Sequence, residues 1–413
     1  MRLVSARWVI PIDQPPIAEG ALALADDGTV LAVGPRDEVG AYVRGTSPAG
    51  TTVDEERALG VLIPALVNAH CHLELSPLAD AIPGGAGLVA WTSGVMRATA
   101  TLERQRRVDA AAEAAASAVR LGTAAVGDVG NTLAAAQGIG RAGLRGILFH
   151  ELVGSREAAT GDAIADAARE KAEADAAAPW PAGLGWARAP HAPYSAGPDL
   201  LRRLFALARE EGRPTSIHVA EDKDELALLR DGTGRWVAVL ERMGVDPQTR
   251  VSGRSPVATL GELGAFEGDH PPLLVHMVHA DDEDRRLAAR AGATAVLCPR
   301  SNLHIGGVLP DVAGLMVDGV AIALGTDSLA SSPDISLWGE MATLAAHLPS
   351  VPGDRWLNAA TRGGAHALGL VGLGTLTVGM RPGVLDVLVE DAAVPVESLV
   401  RDPHPSLRWV ARA

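Results

Sequence analysis

Lysine is almost absent from this chain. Of 36 basic residues only Lys171 and Lys223 are lysines, and the rest are arginines. Cysteine is as scarce. Cys71 and Cys298 are the only two, too few for a disulfide framework, so a reducing cytoplasm fits. Long apolar runs are missing as well. Hydrophobic residues make up 47% of the chain, yet no stretch of 18 residues is free of charged or turn-forming ones. That argues against a membrane span. No apolar stretch of signal-peptide length follows Met1 either, because Pro11, Pro15 and Pro16 arrive first. Positive net charge is the last absence. A balance of −14 argues against nucleic acid or anionic membrane as the main partner. It leaves a small-molecule substrate open, since a local basic patch can oppose the global sign. A homodimer is compatible with all of this.

The 413 residues suit one large barrel plus a small accessory domain. Both ends read as strands. Residues 21–25 and 29–34 are apolar runs around the turn Asp26-Asp27-Gly28, a hairpin signal. Residues 374–379 and 384–389 form a similar patch near the other end. The expectation is a β-sandwich accessory domain made of 1–60 and 374–413, with a hydrolase barrel over 61–373. Within 61–373, strand-like runs fall at 61–72, 123–128, 143–151, 183–191, 215–221, 273–279, 293–299 and 320–327. Helix-like segments lie between them, including an Ala-rich one over 108–121 and an amphipathic one over 199–211. Eight short buried strands alternating with helices predict an α/β fold, a (β/α)8 TIM-like barrel. The stretch 222–272 is longer than one crossover helix requires and predicts extra helix and loop beside the site.

Barrels of this kind carry their chemistry at the C-terminal ends of strands. Here those ends are rich in histidine. The first strand ends Asn68-Ala69-His70-Cys71-His72. Successive side chains point to opposite faces, so His70 and His72 share a face and Cys71 does not. His218 ends the fifth strand and Asp327 follows the eighth. Three imidazoles and a carboxylate suit one divalent ion with a position left for water. Zn²⁺ is the expected ion, and Fe²⁺ or Mn²⁺ would also be held. A histidine at a strand end is more often a packing residue. It is the pair at i and i+2, joined by His218 and Gly325-Thr326-Asp327, that favours ligation. Cys71 reads as a small buried hydrophobe. His270, His347, His366 and His404 lie outside strand ends and read as surface or packing residues.

These residues match a known pattern. P-A-L-V-N-A-H-C-H-L-E-L-S at 64–76 resembles the strand-one motif of the amidohydrolase superfamily. P-H-A-P-Y-S at 190–195, H-V-A-E at 218–221, S-N-L-H at 301–304 and L-G-T-D-S at 324–328 resemble its later motifs in order. L-T-V-G-M-R-P-G-V-L-D-V-L-V at 376–389 resembles its return to a β-sandwich. Binuclear members carry a carboxylated lysine after the fourth strand. This chain has Arg188-Ala189-Pro190-His191 there, so one metal is implied. The pattern is similar to the aminohydrolases of cytosine, guanine and adenosine type.

The resemblance implies a hydrolytic deaminase that replaces an exocyclic amino group and releases ammonia. Asp327 would take the proton of an activated water while remaining a ligand. His276 would steady the developing oxyanion, and Glu221 would protonate the ring nitrogen beside the attacked carbon. I-P-G-G-A-G-L-V-A-W at 82–91 resembles the aminodeoxyfutalosine deaminases. That implies an adenine nucleoside bearing a carboxylated aromatic group, with adenosine- or S-adenosylhomocysteine-type nucleosides as relatives. His191 and His304 would then line the purine or ribose pocket, and Glu74 and Trp91 the loop after strand one. Glu151 would face the pocket, and Arg300 or Arg97 would meet a carboxylate. Two other readings remain. One is a hydrolase of the same scaffold acting on guanine, cytosine, a triazine, or an amide or imide bond. The other is an inactive barrel used as a scaffold, which the complete ligand set opposes.

Overall fold

In the computed structural model, which describes every residue except 47–53, 155–159, 390–392 and 394, the chain opens with β1 (Arg2–Val9), β2 (Ile17–Leu24) and β3 (Val30–Pro35). Helix α1 (Arg36–Thr46), β4 (Asp54–Arg57) and β5 (Val61–Pro64) follow. The expected hairpin is present. β2 pairs antiparallel with β3, and Gly28 turns the chain at φ 88°, a conformation glycine adopts without steric penalty. Strand alternation sorts the side chains into two cores. Leu3, Ala21 and Ala23 pack under Val39 and Val43 of α1. Val4, Leu22, Leu24, Val30 and Leu62 form the other core.

The expected strand over 61–72 is two strands. β5 pairs with β1, whereas β6 (Leu66–Cys71) belongs to a different sheet. The chain changes sheet at Ala65, whose N–H donates to Gly383 O at 3.1 Å. Seven further strands follow: β7 (Thr123–Gly130), β8 (Arg145–Leu152), β9 (Leu184–Pro190), β10 (Ser216–Val219), β11 (Leu273–His276), β12 (Thr294–Leu297) and β13 (Ala321–Leu324). They form two four-stranded sheets, ordered β6-β7-β8-β9 and β10-β11-β12-β13. The pairs β8–β9, β10–β11, β11–β12 and β12–β13 are parallel. Strands β7, β11 and β12 are buried along their whole length, as strands covered on both faces must be. Two hydrogen bonds link residues at the outer strands of the two sheets: His218 N to His191 O at 3.0 Å and Thr326 N to His70 O at 2.9 Å.

The last strands, β14 (Val384–Val387) and β15 (Leu407–Ala411), return to the first sheet. It has seven strands in the order β15-β14-β5-β1-β2-β3, with β4 on β1. Val384 and Val410 enter the same core as Val4 and Val30. Asp386 clasps this join. Its carboxylate accepts from Gly60 N at 2.7 Å and Leu59 N at 3.1 Å, and it pairs with Arg408 at 2.8 Å. Residues 374–379 are not the strand their pattern predicts. Gly374 and Gly379 stand at φ 79° and 86°, which interrupts a strand.

The chain divides into two compact units, 1–68 with 118–125 and 336–413, and 69–117 with 126–335. The second holds every strand end relevant to chemistry. It also holds α2 (Leu88–Thr99), the start of α3 (Arg104–Arg120), and three helices in the 222–272 stretch: Lys223–Asp231, Arg235–Arg242 and Pro256–Glu262. No helix of the described residues is long and apolar enough to cross a membrane.

Candidate metal and catalytic site

Four of the predicted side chains converge. The ring of His70 meets His72 and His218 edge-on, with centroids 4.8 and 4.9 Å apart. His72 Nε2 lies 3.2 Å from His218 Nε2 and 3.5 Å from Asp327 Oδ1. All four residues are buried. Supporting bonds aim them. His218 Nδ1 donates to His191 O at 2.9 Å, which leaves Nε2 bare as a ligand should be. Asp327 Oδ2 accepts from Ser301 Oγ at 2.5 Å and Ser331 Oγ at 3.1 Å, leaving Oδ1 toward the histidines. Burial holds His70 well below the usual histidine value and brings His218 down to about 3. Burial pushes the Asp327 carboxyl up, but the imidazoles and Ser301 outweigh it and the pKa is lowered. Three imidazoles around one ionised carboxylate are a nitrogen–oxygen donor set for a divalent ion. His70 and His218 with His276, and His70 and His72 with Asp327, each bring ligand atoms within 4.8 Å.

The backbone is strained where these residues sit. Ala220, His276, Met277 and Asp327 take φ of 52°, 76°, 55° and 56°. Such conformations cost about 1–3 kcal/mol each for non-glycine residues and concentrate at functional sites. Gly325 has another role. A Cβ there would stand 2.7 Å from both His70 Cβ and His70 O, so only glycine lets the last strand approach the first this closely.

Beside the ligand cluster stand Glu221 and His276. His276 Nε2 is 3.5 Å from Glu221 Oε1. Burial, then the charges of Asp327, Glu225 and Asp222, push the Glu221 carboxyl well above the ordinary range. Burial brings His276 down to about 4. The Glu221 carboxyl is thus shifted toward its protonated form and the nearby Asp327 toward its ionised one, the division of labour that acid–base pairs use.

A cavity of about 400 Å³ opens on this cluster, lined by His72, His218, Glu221, His276 and Asp327 among others. The predicted Glu74, Trp91, Glu151 and His191 line it too. Glu74 accepts from Asn131 N at 2.9 Å and Thr132 N at 3.2 Å. Glu151 Oε2 accepts from Asn131 Nδ2 at 2.9 Å. Burial brings His191 down to about 3. Trp236, Leu240 and Met243 of the 222–272 stretch complete the apolar wall, and Tyr194 stacks on Trp236 at 4.0 Å.

The structure does not bring Arg300 and His304 to this cavity. Arg300 pairs with Asp334 at 2.8 Å, and His304 Nε2 meets Ile82 O at 3.1 Å. Arg97 lines a separate cavity. Sequence reasoning passed over three contributors. Asp128, at the end of the second predicted strand, accepts from Leu73 N at 2.8 Å and Cys71 Sγ at 3.7 Å, so it anchors the His-Cys-His turn. Its place at a strand end was the available signal. Asn302 Nδ2 donates to His276 Nδ1 at 2.9 Å. Arg107 lines the cavity from α3, and no strand-end rule points to a helix.

Known proteins are similar to this chain in sequence and fold. The chain is 34% identical over 325 residues to an aminodeoxyfutalosine deaminase of Deinococcus radiodurans, covering 76% of this chain and 75% of that one. It is 30% identical over 412 residues to a 5-methylthioadenosine/S-adenosylhomocysteine deaminase of Syntrophobacter fumaroxidans, covering 95% and 85%. Among solved structures it is similar to Helicobacter pylori aminofutalosine deaminase in complex with methylthio-coformycin, with a TM-score of 0.85 at 20% identity over 98% of this chain and 97% of that one. Residues 61–382 match the amidohydrolase family model. The chain belongs to the amidohydrolase family.

Proposed function

We propose that this protein is a metal-dependent hydrolytic deaminase of an adenine nucleoside. The observation that carries the reading is the convergence of His70, His72, His218 and Asp327 at one cavity, with Glu221 Oε1 standing 3.5 Å from His276 Nε2 beside them. His70, His72, His218 and Asp327 would hold one divalent ion, zinc first by donor type. Bound there, the ion supplies Lewis acidity that brings the pKa of a water toward neutrality. The chain's own residues do the rest. Asp327 Oδ1 accepts the proton of the attacking water, while Oδ2 stays on Ser301 and Ser331. Glu221 gives its proton to the ring nitrogen next to the attacked carbon. His276, with its Nε2 toward the reacting centre, donates to the developing oxyanion. His191, Glu74, Trp91 and Glu151 contact the nucleoside, and the apolar wall excludes water. The relatives deaminate adenine nucleosides by name, which supports this base over guanine, cytosine or a triazine.

The same reading treats β6 to β13 as one closed (β/α)8 barrel, supported by the two hydrogen bonds between outer strands. It treats the terminal sheet as a sandwich. Val30 and Val410 come from near its two edges yet share one core, which requires the sheet to curl. The family match from residue 61 supports 61–373 as the hydrolase domain and 1–60 with 374–413 as the accessory one. The buried free thiols Cys71 and Cys298 suit the cytoplasm.

The test is ammonia release by metal-replete protein from adenosine, 5′-methylthioadenosine, S-adenosylhomocysteine and aminodeoxyfutalosine. Turnover of at least one is expected. Turnover of none would overturn the reading.

A further inference from the structure

The chain turns sharply between β10 and the helix Lys223–Asp231, and that turn carries Glu221. Ala220 takes φ 52° there, a conformation that a residue with a Cβ keeps only when its surroundings enforce it. Its carbonyl accepts from His279 N at 2.7 Å. Its N–H and that of Glu221 both go to one side chain. Glu225 Oε1 accepts from Ala220 N at 3.1 Å, and Glu225 Oε2 accepts from Glu221 N at 3.0 Å. Successive N–H groups around a left-handed residue form a concave pair of donors that suits a carboxylate.

Glu225 is fully buried, and a buried carboxyl is unfavourable unless hydrogen bonds compensate it. Among the described residues it forms no ion pair, so the N–H groups of this turn are what compensates it. The helix does not need it as a cap. Asp222 already fills that role, its Oδ1 accepting from Asp224 N at 2.6 Å, while its Oδ2 accepts from Leu88 N at 3.2 Å. Nor does the Glu221 carboxyl fix its own place. Its approach to His276 Nε2, at 3.5 Å, is longer than N–H···O hydrogen bonds ordinarily run. The direction of Glu221 is therefore inherited from its backbone, and Glu225 holds that backbone from one helical turn further on.

We propose that Glu225 is a positioning residue for the proton transfer: its carboxyl clamps the N–H groups of Ala220 and Glu221 and thereby holds the Glu221 side chain at His276. The proposal rests on the deaminase reading for the step it serves, proton delivery to the ring nitrogen. Glu225 does not line the cavity, so it acts through Glu221 and not on a substrate. Exchanging one of its oxygens for an amide NH2 sets a donor against a donor and opens one side of the clamp.

The experiment uses the metal-loaded full chain with Glu225→Gln, Glu221→Gln and the two combined. Glu225→Gln is expected to lower kcat by about 10- to 100-fold, the range for a displaced reacting group, with KM little changed. The double variant should be no slower than Glu221→Gln alone, because the clamp then has no acid to position. Losses that multiply in the double variant, or an unchanged kcat in Glu225→Gln, would overturn the proposal. Should Glu225→Gln fail to fold, Glu225→Asp takes its place in the same cycle, since it keeps both oxygens but stands one methylene short. Crystal structures of the wild type and the Glu225 variant separate this proposal from the deaminase reading. The Glu221 carboxyl should leave His276 while His70, His72, His218 and Asp327 stay in place. Absent turnover in the wild type, with that displacement seen in the variant, removes the deaminase reading and keeps the clamp. An unmoved Glu221 removes the clamp whatever the turnover.

Discussion

Asn302 Nδ2 donates to His276 Nδ1 at 2.9 Å, and this single bond decides which nitrogen of His276 faces the reaction. With Nδ1 accepting, the proton of the neutral ring sits on Nε2, the atom 3.5 Å from Glu221 Oε1. Removing the amide frees the wrong tautomer. Asn302→Ala is therefore expected to lower kcat by about 10- to 100-fold, as loss of an orienting partner does at metal sites, with KM little changed. Steady-state kinetics on the best substrate decides it, and an unchanged kcat would show that the tautomer is set elsewhere.

Glu221→Gln keeps the shape of the side chain and removes the transferable proton. Ammonia release should fall by about 10²- to 10⁴-fold, while metal content per chain stays at the wild-type level. Metal analysis of the same preparation distinguishes a lost acid from a lost ion, and loss of the ion would return Glu221 to a ligand-supporting role.

Gly325→Ala places a methyl 2.7 Å from His70 Cβ and backbone O. Since neither neighbour is a flexible chain end, His70 must move. The overpacking is worth about 1–3 kcal/mol of stability, and metal retention after dialysis should drop with it. Full retention would mean that His70 tolerates the shift and is not a rigid ligand.

Chelator treatment should abolish turnover and lower Tm, with zinc restoring both. An ion at a hundred times its dissociation constant stabilises by about 2.7 kcal/mol. A Tm and an activity both indifferent to chelation would remove the metal assignment altogether.

Away from the site, burial and the neighbouring Asp281 push Asp284 up to about 6 against an ordinary 3.8, despite the Ser255 hydroxyl that favours its ionised form. A folded pKa above the unfolded one gives stability that is complete below pH 3.8 and is lost as pH rises through 6. At pH 8 that loss is about 3 kcal/mol. Asp284→Asn should thus gain on the wild type in denaturant unfolding at pH 8 and match it near pH 4. Equal differences at both values would show that Asp284 does not titrate as described.

The candidate metal site was legible because strand geometry is periodic. His70 and His72 at i and i+2 share a face in any strand, and a barrel brings strand ends together. The break at Ala65 was not legible, because β5 and β6 read as one apolar run and only tertiary pairing divides them. Arg300 and Arg107 show the same limit for the cavity. An arginine's reach is long and its partner is chosen in three dimensions. Arg300 was drawn to Asp334, seven positions after Asp327, whereas Arg107 came to the cavity from a helix rather than from a strand end. The residues at 374–379 alternate like a strand, yet the positive φ of Gly374 and Gly379 is a backbone property that side-chain pattern does not report.

The Asp386 clasp has a consequence for how the molecule is made. Gly60 and Asp386 are 326 positions apart, so β5 waits for β14 until all the residues between them have left the ribosome. During that interval β5 presents an unpaired apolar edge, the kind of surface that templates aggregation. Long-range closure of this sort is slow. The last step of folding should therefore be the docking of β14 and β15, and expression yield should respond to translation speed and chaperone supply more than to any change at the proposed metal site.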